Sequence, residues 1–169
     1  MKLHRPLLAV IFALLFSGIA VRAEAQIGVY AGFSGAPVNG SGATQSAFGP
    51  TLGVYAQSGR YISLGGDLRG TFLTRNGFNY FTGAAGPRLA FRAPVLPIRP
   101  YVEGLVGVAS VKDGNGSSSN TNLNYQILGG VDMTILPHVD WRLIEFDYSA
   151  ASGTSVNAKI FTTGLVLRL

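Results

Sequence analysis

The chain predicts an all-β fold: an eight-stranded antiparallel up-and-down transmembrane β-barrel preceded by a cleavable signal peptide. Three observations predict it. Charged residues make up only 12% of the chain, against about 25% in a soluble domain. After the N-terminal segment no apolar run is long enough to cross a bilayer as a helix, so an apolar surface would face water unless a closed barrel turned it to lipid. The last nine residues, FTTGLVLRL, place Phe161, Thr163, Leu165, Leu167 and Leu169 on one strand face and Thr162, Gly164, Val166 and Arg168 on the other. A strand with so apolar a face suits the wall of a membrane barrel.

The N-terminal segment reads as targeting information. Lys2, His4 and Arg5 form a basic start, an apolar run covers 7–21, and Ala23-Glu24-Ala25 matches a small-x-small cleavage site. We therefore expect a signal peptide over 1–25 and one barrel domain over 26–169. Removing Lys2, Arg5, Arg22 and Glu24 leaves ten basic against seven acidic residues, a net charge of +3. These are scattered, so the basic footprint of a nucleic-acid binder is missing. The chain has no cysteine, which removes disulfide and thiolate chemistry.

Apolar alternation separated by turn residues predicts strands at 26–35, 47–57, 61–72, 79–91, 99–110, 122–134, 140–150 and 157–169. Each is close to the nine to eleven tilted residues, roughly, that span a bilayer. In the first, Ile27, Val29, Ala31 and Phe33 face out, with Gly28, Tyr30, Gly32 and Ser34 inside. In the second, Phe48, Pro50, Leu52, Val54 and Ala56 face out. Ile62, Leu64, Leu68 and Phe72 do so in the third, which turns Asp67 and Arg69 inward. The fourth has Phe81, Ala85, Leu89 and Phe91 outside and Arg88 inside. The fifth has Val102, Val106 and Val108 outside and Glu103 inside. In the sixth, Leu123, Tyr125, Ile127, Val131 and Met133 face out, leaving Asn124, Gln126 and Asp132 inside. In the seventh, Ile144, Phe146 and Tyr148 face out, with Glu145 and Asp147 inside.

Three features strain this pattern. Leu105, Leu128 and Leu143 must point inward. Arg142 falls on the outward face, where it must snorkel to the membrane interface. Pro50 and Pro87 each remove a ladder hydrogen bond, so bulges are expected near them.

The connections also alternate. Those at 36–46, 73–78, 111–121 and 151–156 form the outer end, and the first and third are rich in Gly, Ser, Asn and Thr. Those at 58–60, 93–97 and 136–139 are shorter and carry Gly or Pro, the asymmetry of a bacterial outer-membrane barrel. Asp67, Arg69, Arg88, Glu103, Glu145 and Asp147 then converge in the lumen, with Asp132 and Arg168 nearer the inner end. An eight-stranded barrel is just wide enough to be filled by its side chains, so these charges are expected to pair as a structural network.

Little in the chain suggests catalysis, and no catalytic, cofactor or metal residue is assigned. His138, the only histidine after the signal segment, sits in an inner turn without a serine and acid beside it. Asp113-Gly-Asn115-Gly-Ser117 resembles the start of a calcium loop but lacks the bidentate glutamate. Asn39-Gly-Ser41 and Asn115-Gly-Ser117 match the glycosylation triplet within Gly/Ser loops. Outward tyrosines and Trp141 near strand ends would form interfacial girdles.

RPYVEGLVGVA at 99–109, WRLIEFDYS at 141–149 and the ending GLVLRL, together with the eight strands and the loop asymmetry, resemble the small OmpA/OmpX-type outer-membrane β-barrel proteins. The resemblance covers 26–169. It implies a location in the bacterial cell outer membrane, contact with outer-membrane lipid, and recognition of strand 161–169 by the barrel assembly machinery. It implies a monomer and an extracellular partner through loops 36–46 and 111–121. The chain ends in Leu169 where the family usually has an aromatic residue, which weakens that recognition signal. The expected role is a non-enzymatic, structural or surface-interaction barrel without nucleic acid or cofactor. A narrow solute or ion channel is the alternative, and a soluble exported lipocalin-like binding barrel a further one. The last would need apolar residues inside and charge outside.

Overall fold

In a computed structural model the structure describes residues 25–40, 43–75, 78–113, 120–151 and 157–169. The predicted signal peptide, 1–25, lies outside them except for Ala25. Eight strands follow in order: β1 (Gln26–Gly40), β2 (Ala43–Ser58), β3 (Ile62–Arg75), β4 (Phe78–Phe91), β5 (Ile98–Asp113), β6 (Asn120–Leu136), β7 (Val139–Ala151) and β8 (Asn157–Arg168). Each pairs antiparallel with the next, and β8 returns to β1 to close the barrel. Closure leaves no free sheet edge, the condition for a sheet to sit in hydrocarbon.

The predicted faces hold along most of the wall. Phe33, Leu52, Leu68, Leu89, Val102, Ile127, Phe146 and Leu165 are exposed, while Tyr30, Tyr55, Asp67, Arg69, Arg88, Glu103, Leu105, Leu128, Glu145 and Asp147 are buried inside. The strands reach further at the outer end than expected. β1 and β2 stay paired up to Gly40 with Ala43, so 36–46, read as a loop, is mostly a hairpin. The third outer connection shrinks to 114–119, which lies outside the described residues together with the side chains of Asn39, Ser41, Asp113, Asn115 and Ser117.

The prolines behave differently from expectation. β1 and β2 stay in unbroken register through Phe33 opposite Pro50, and β3 and β4 through Gly66 opposite Pro87. Pairing on the other side simply skips Gly49-Pro50 and Gly86-Pro87, without an inserted residue. The missing N–H costs one rung per proline and no register change.

The bulges lie elsewhere. Asp132 pairs with Arg142 while Val131 pairs with Ile144, so β7 carries one extra residue, Leu143. The β7–β8 ladder shows the same insertion between Arg142 and Glu145. A bulge shifts the alternation by one residue. It therefore corrects the orientation of Arg142, which is 1% exposed and points inward, and frees Leu143 from the inward position the sequence pattern forced on it. The carbonyl of Arg142 accepts a 2.9 Å hydrogen bond from the Thr163 hydroxyl, and Thr163 in turn accepts from the Trp141 indole at 3.2 Å. A backbone group that the bulge leaves out of the ladder is thus satisfied at the lipid face, where no water can replace it.

The short-turn end has three tight connections. Gly59 has φ +135°, and a Cβ there would lie 2.0 Å from the Ile62 carbonyl oxygen, so only glycine fits. Pro137-His138 closes β6 to β7 with His138 at φ 69°. Proline followed by positive φ is the signature of a type II turn.

Candidate functional site: the lumen charge network

Three tyrosines build the frame of the lumen. Tyr30 lies opposite Gly53, Gly28 opposite Tyr55, and Tyr101 opposite Gly130. In each pair the ring occupies the space a glycine leaves open. A Cβ at Gly28 would meet the Tyr55 ring at 2.2 Å, one at Gly53 the Tyr30 ring at 2.3 Å, and one at Gly130 the Tyr101 hydroxyl at 2.5 Å.

Two arginines stack on this frame. The Arg88 guanidinium lies 3.8 Å from the Tyr101 centroid and 4.3 Å from that of Tyr55. Arg142 lies 4.1 Å from Tyr30 and 4.9 Å from Tyr101. Planar guanidinium groups stack on rings and donate in their own plane at the same time. In that plane Arg88 pairs with Glu103 and, at 3.2 Å, with Asp132, while its Nε donates to Gln57 at 3.2 Å. Arg142 bridges Asp132 and Glu145, each at 3.0 Å. Arg69 donates to both oxygens of Glu145, at 2.9 and 2.8 Å, and to the Tyr30 hydroxyl at 3.1 Å. Tyr30 donates to Asp67 at 2.8 Å and Tyr101 to Glu145 at 2.5 Å.

Asp67, Arg69, Glu145, Arg88 and Glu103 are thus joined in one hydrogen-bonded chain across β1, β3, β4, β5, β6 and β7. Of the two residues that join them, Asp132 was read from the sequence as inward, while Arg142 was not read as part of the lumen. Asp132 lies nearer the inner end, opposite Arg99, as expected, and Arg142 had been placed on the wrong face. Asp147 is buried but keeps its Oδ1 without a hydrogen-bond partner. Below this chain, toward the short turns, Asp140 faces Arg168 at 2.9 Å and Arg99 at 3.8 Å. Above it, Ser34, Thr51, Thr71 and Thr162 form a hydroxyl ladder with spacings of 2.6 to 2.9 Å. The lumen is filled in layers from one end toward the other.

No family model and no curated protein matches the chain. Solved structures do. The Neisserial surface protein A superposes with a TM-score of 0.59 at 17% identity, over 86% of this chain and 96% of that one. Ail of Yersinia pestis, in complex with the heparin analogue sucrose octasulfate, gives 0.56 at 16% identity, over 86% and 99%. OprG of Pseudomonas aeruginosa gives 0.57 at 11% identity, over 87% and 97%.

The chain is a small eight-stranded outer-membrane β-barrel. Its apolar belt and charged interior are the arrangement such a barrel needs in lipid and the reverse of a lipocalin-like soluble barrel. The barrel therefore belongs in the bacterial outer membrane. Tyr61, Tyr125, Tyr148 and Trp141 are the half-exposed amphipathic aromatics of its surface, while Tyr30, Tyr55, Tyr80 and Tyr101 are turned inward. His138 sits exposed in the short turn between β6 and β7, and among the described residues no cluster of acids and histidines could hold a metal.

Proposed function

We propose that this barrel is a non-enzymatic outer-membrane protein with a plugged lumen and a structural or surface-interaction role. One observation carries the reading: Arg88, Tyr101 and Arg142 stack across the barrel at its core and are each at most 3% exposed. Every acid they touch is held by at least one arginine, so the charges serve to cross-link facing walls rather than to line a wet path. The test is conductance of the refolded barrel in a planar bilayer. We expect no discrete channel steps from the native protein, and steady steps would instead establish the narrow-channel alternative.

The surface-interaction part of the reading is supported by the outer end. Arg75 and Lys159 are the charged side chains described there, and Lys159 is exposed. Ail, with the same fold, is known in complex with a sulfated heparin analogue. An acidic polymer is the partner chemistry that fits such a rim. Retention of the folded barrel on immobilised heparin, reduced in Arg75→Gln/Lys159→Gln, is the expected result. Passage through the column unretained would remove this partner class.

A further inference from the structure

All six acidic residues whose side chains are described, Asp67, Glu103, Asp132, Asp140, Glu145 and Asp147, are buried in the lumen. The exposed charges among the described residues are cationic. At the rim of the short turns, the periplasmic side in this reading, they are Arg60 and Arg92, on adjacent turns. These two turns are tied together: the Arg92 amide donates to the Tyr61 carbonyl at 2.7 Å. Arg60 lies 5.4 Å from the half-exposed Tyr61 ring, a cation and an aromatic at headgroup depth.

Beside this rim, toward the membrane, the outer wall carries a shallow, open depression. A groove of about 310 Å³ runs over β3, β4 and β5, walled by Ile62, Leu89, Phe91, Pro100 and Val102. The next outward row is Gly66, Pro87 and Gly104. A Cβ at Gly104 would meet nothing within 4 Å, and one at Gly66 only the Gly86 carbonyl oxygen at 3.7 Å. The depression thus continues from the cationic rim toward the bilayer centre.

We propose that this wall holds one anionic glycerophospholipid of the periplasmic leaflet, its phosphate at Arg60 and Arg92 and one acyl chain in the groove. A cationic rim with no exposed acid among the described residues selects the anionic headgroup, and the groove, which begins at Ile62 and Phe91 beside Arg60 and Arg92, takes the chain. Each basic residue near an anionic membrane surface contributes roughly a fivefold gain in association.

The chain has a single tryptophan, Trp141 on β7, three strands away from β4. In Trp141→Phe/Tyr61→Trp the only indole sits at the proposed headgroup site, while in the native chain it reports the far wall. Both are refolded into phosphatidylcholine vesicles carrying a minor fraction of either brominated phosphatidylglycerol or brominated phosphatidylcholine, and quenching is compared. The site reporter should be quenched preferentially by the anionic lipid, about fivefold or more in relative association, and adding Arg60→Gln/Arg92→Gln should bring the ratio to unity. Native Trp141 should show no preference. Equal quenching at the site reporter, a preference that survives loss of both arginines, or the same preference at Trp141 would each overturn the site. Both arginines are exposed and outside the lumen network, and a heat-dependent gel shift verifies that each variant is folded.

Discussion

Arg88 meets Glu103, Asp132 and Gln57 while lying between two rings. Among the described residues it is the ion-pair partner of Glu103. Arg88→Ala leaves that carboxylate buried and uncompensated, a loss of about 3–5 kcal/mol. Urea unfolding of the barrel in vesicles measures it, and an unchanged midpoint would mean the network contributes no stability. Gly53→Ala acts on the same network from the opposite wall. Its methyl group takes the place of the Tyr30 ring end, and the Leu68 carbonyl oxygen at 2.8 Å closes the other side. Tyr30 must then leave Arg142, Arg69 and Asp67, so Gly53→Ala should also lower the urea midpoint despite adding apolar surface. His138 is different. Its positive φ costs a non-glycine residue roughly 1 kcal/mol, so His138→Gly should be neutral to mildly stabilising and His138→Val destabilising in the same assay.

At the scale of the strand, the bulge at Leu143 decides where a whole guanidinium goes. Deleting Leu143 removes the inserted residue and restores plain alternation, with Trp141 and Ile144 outside and Arg142 and Glu145 inside. The variant should keep the Arg142 bridges to Asp132 and Glu145 and its heat-dependent gel shift, and loss of the shift would mean that the extra residue is itself needed for closure. Thr163→Val tests the other half of the same device. It removes the donor to the Arg142 carbonyl and the acceptor for Trp141 with almost no change of volume. An unmet group at that depth costs about 1–3 kcal/mol, read as a fall in urea midpoint. The proline positions show the converse: an N–H can be missing from one side of a strand without any change of register, provided the next residue still pairs.

At the scale of the molecule, charge is sorted by sign and place. Among the described residues the acids are inside with most of the arginines, and the outside carries apolar residues across the belt and cations at the rims. Sorting of this kind is what lipid demands of a closed sheet. The last strand completes it, for the Leu169 amide donates to the Ile27 carbonyl at 2.8 Å and seals the β1–β8 seam. Leu169 is 71% exposed, so Leu169→Phe should fit without disturbing the wall. If assembly machinery reads this strand through a terminal aromatic, the variant should raise the folded fraction in the outer membrane of an expressing cell without changing urea stability in vitro.

The alternation of residues along each strand was enough to determine the strand count, the two faces and the inward placement of Asp67, Arg69, Arg88, Glu103, Glu145 and Asp147. Strand periodicity is local, and each residue's face follows from its neighbours two positions away. It was not enough for Arg142. The run Trp141-Arg142-Leu143-Ile144 breaks alternation, and two explanations compete: an arginine outside with a leucine inside, or one inserted residue. Two wrong-facing residues in succession are the sequence mark of a bulge, yet only the pairing with β6 and β8 distinguishes the two cases. The same holds for the network itself. The facing pairs of glycine and tyrosine, the stacking of Arg88 and Arg142, and the choice of Asp132 as their shared partner depend on which residues meet across the lumen. That is set by the register and closure of all eight strands together, which no single segment encodes.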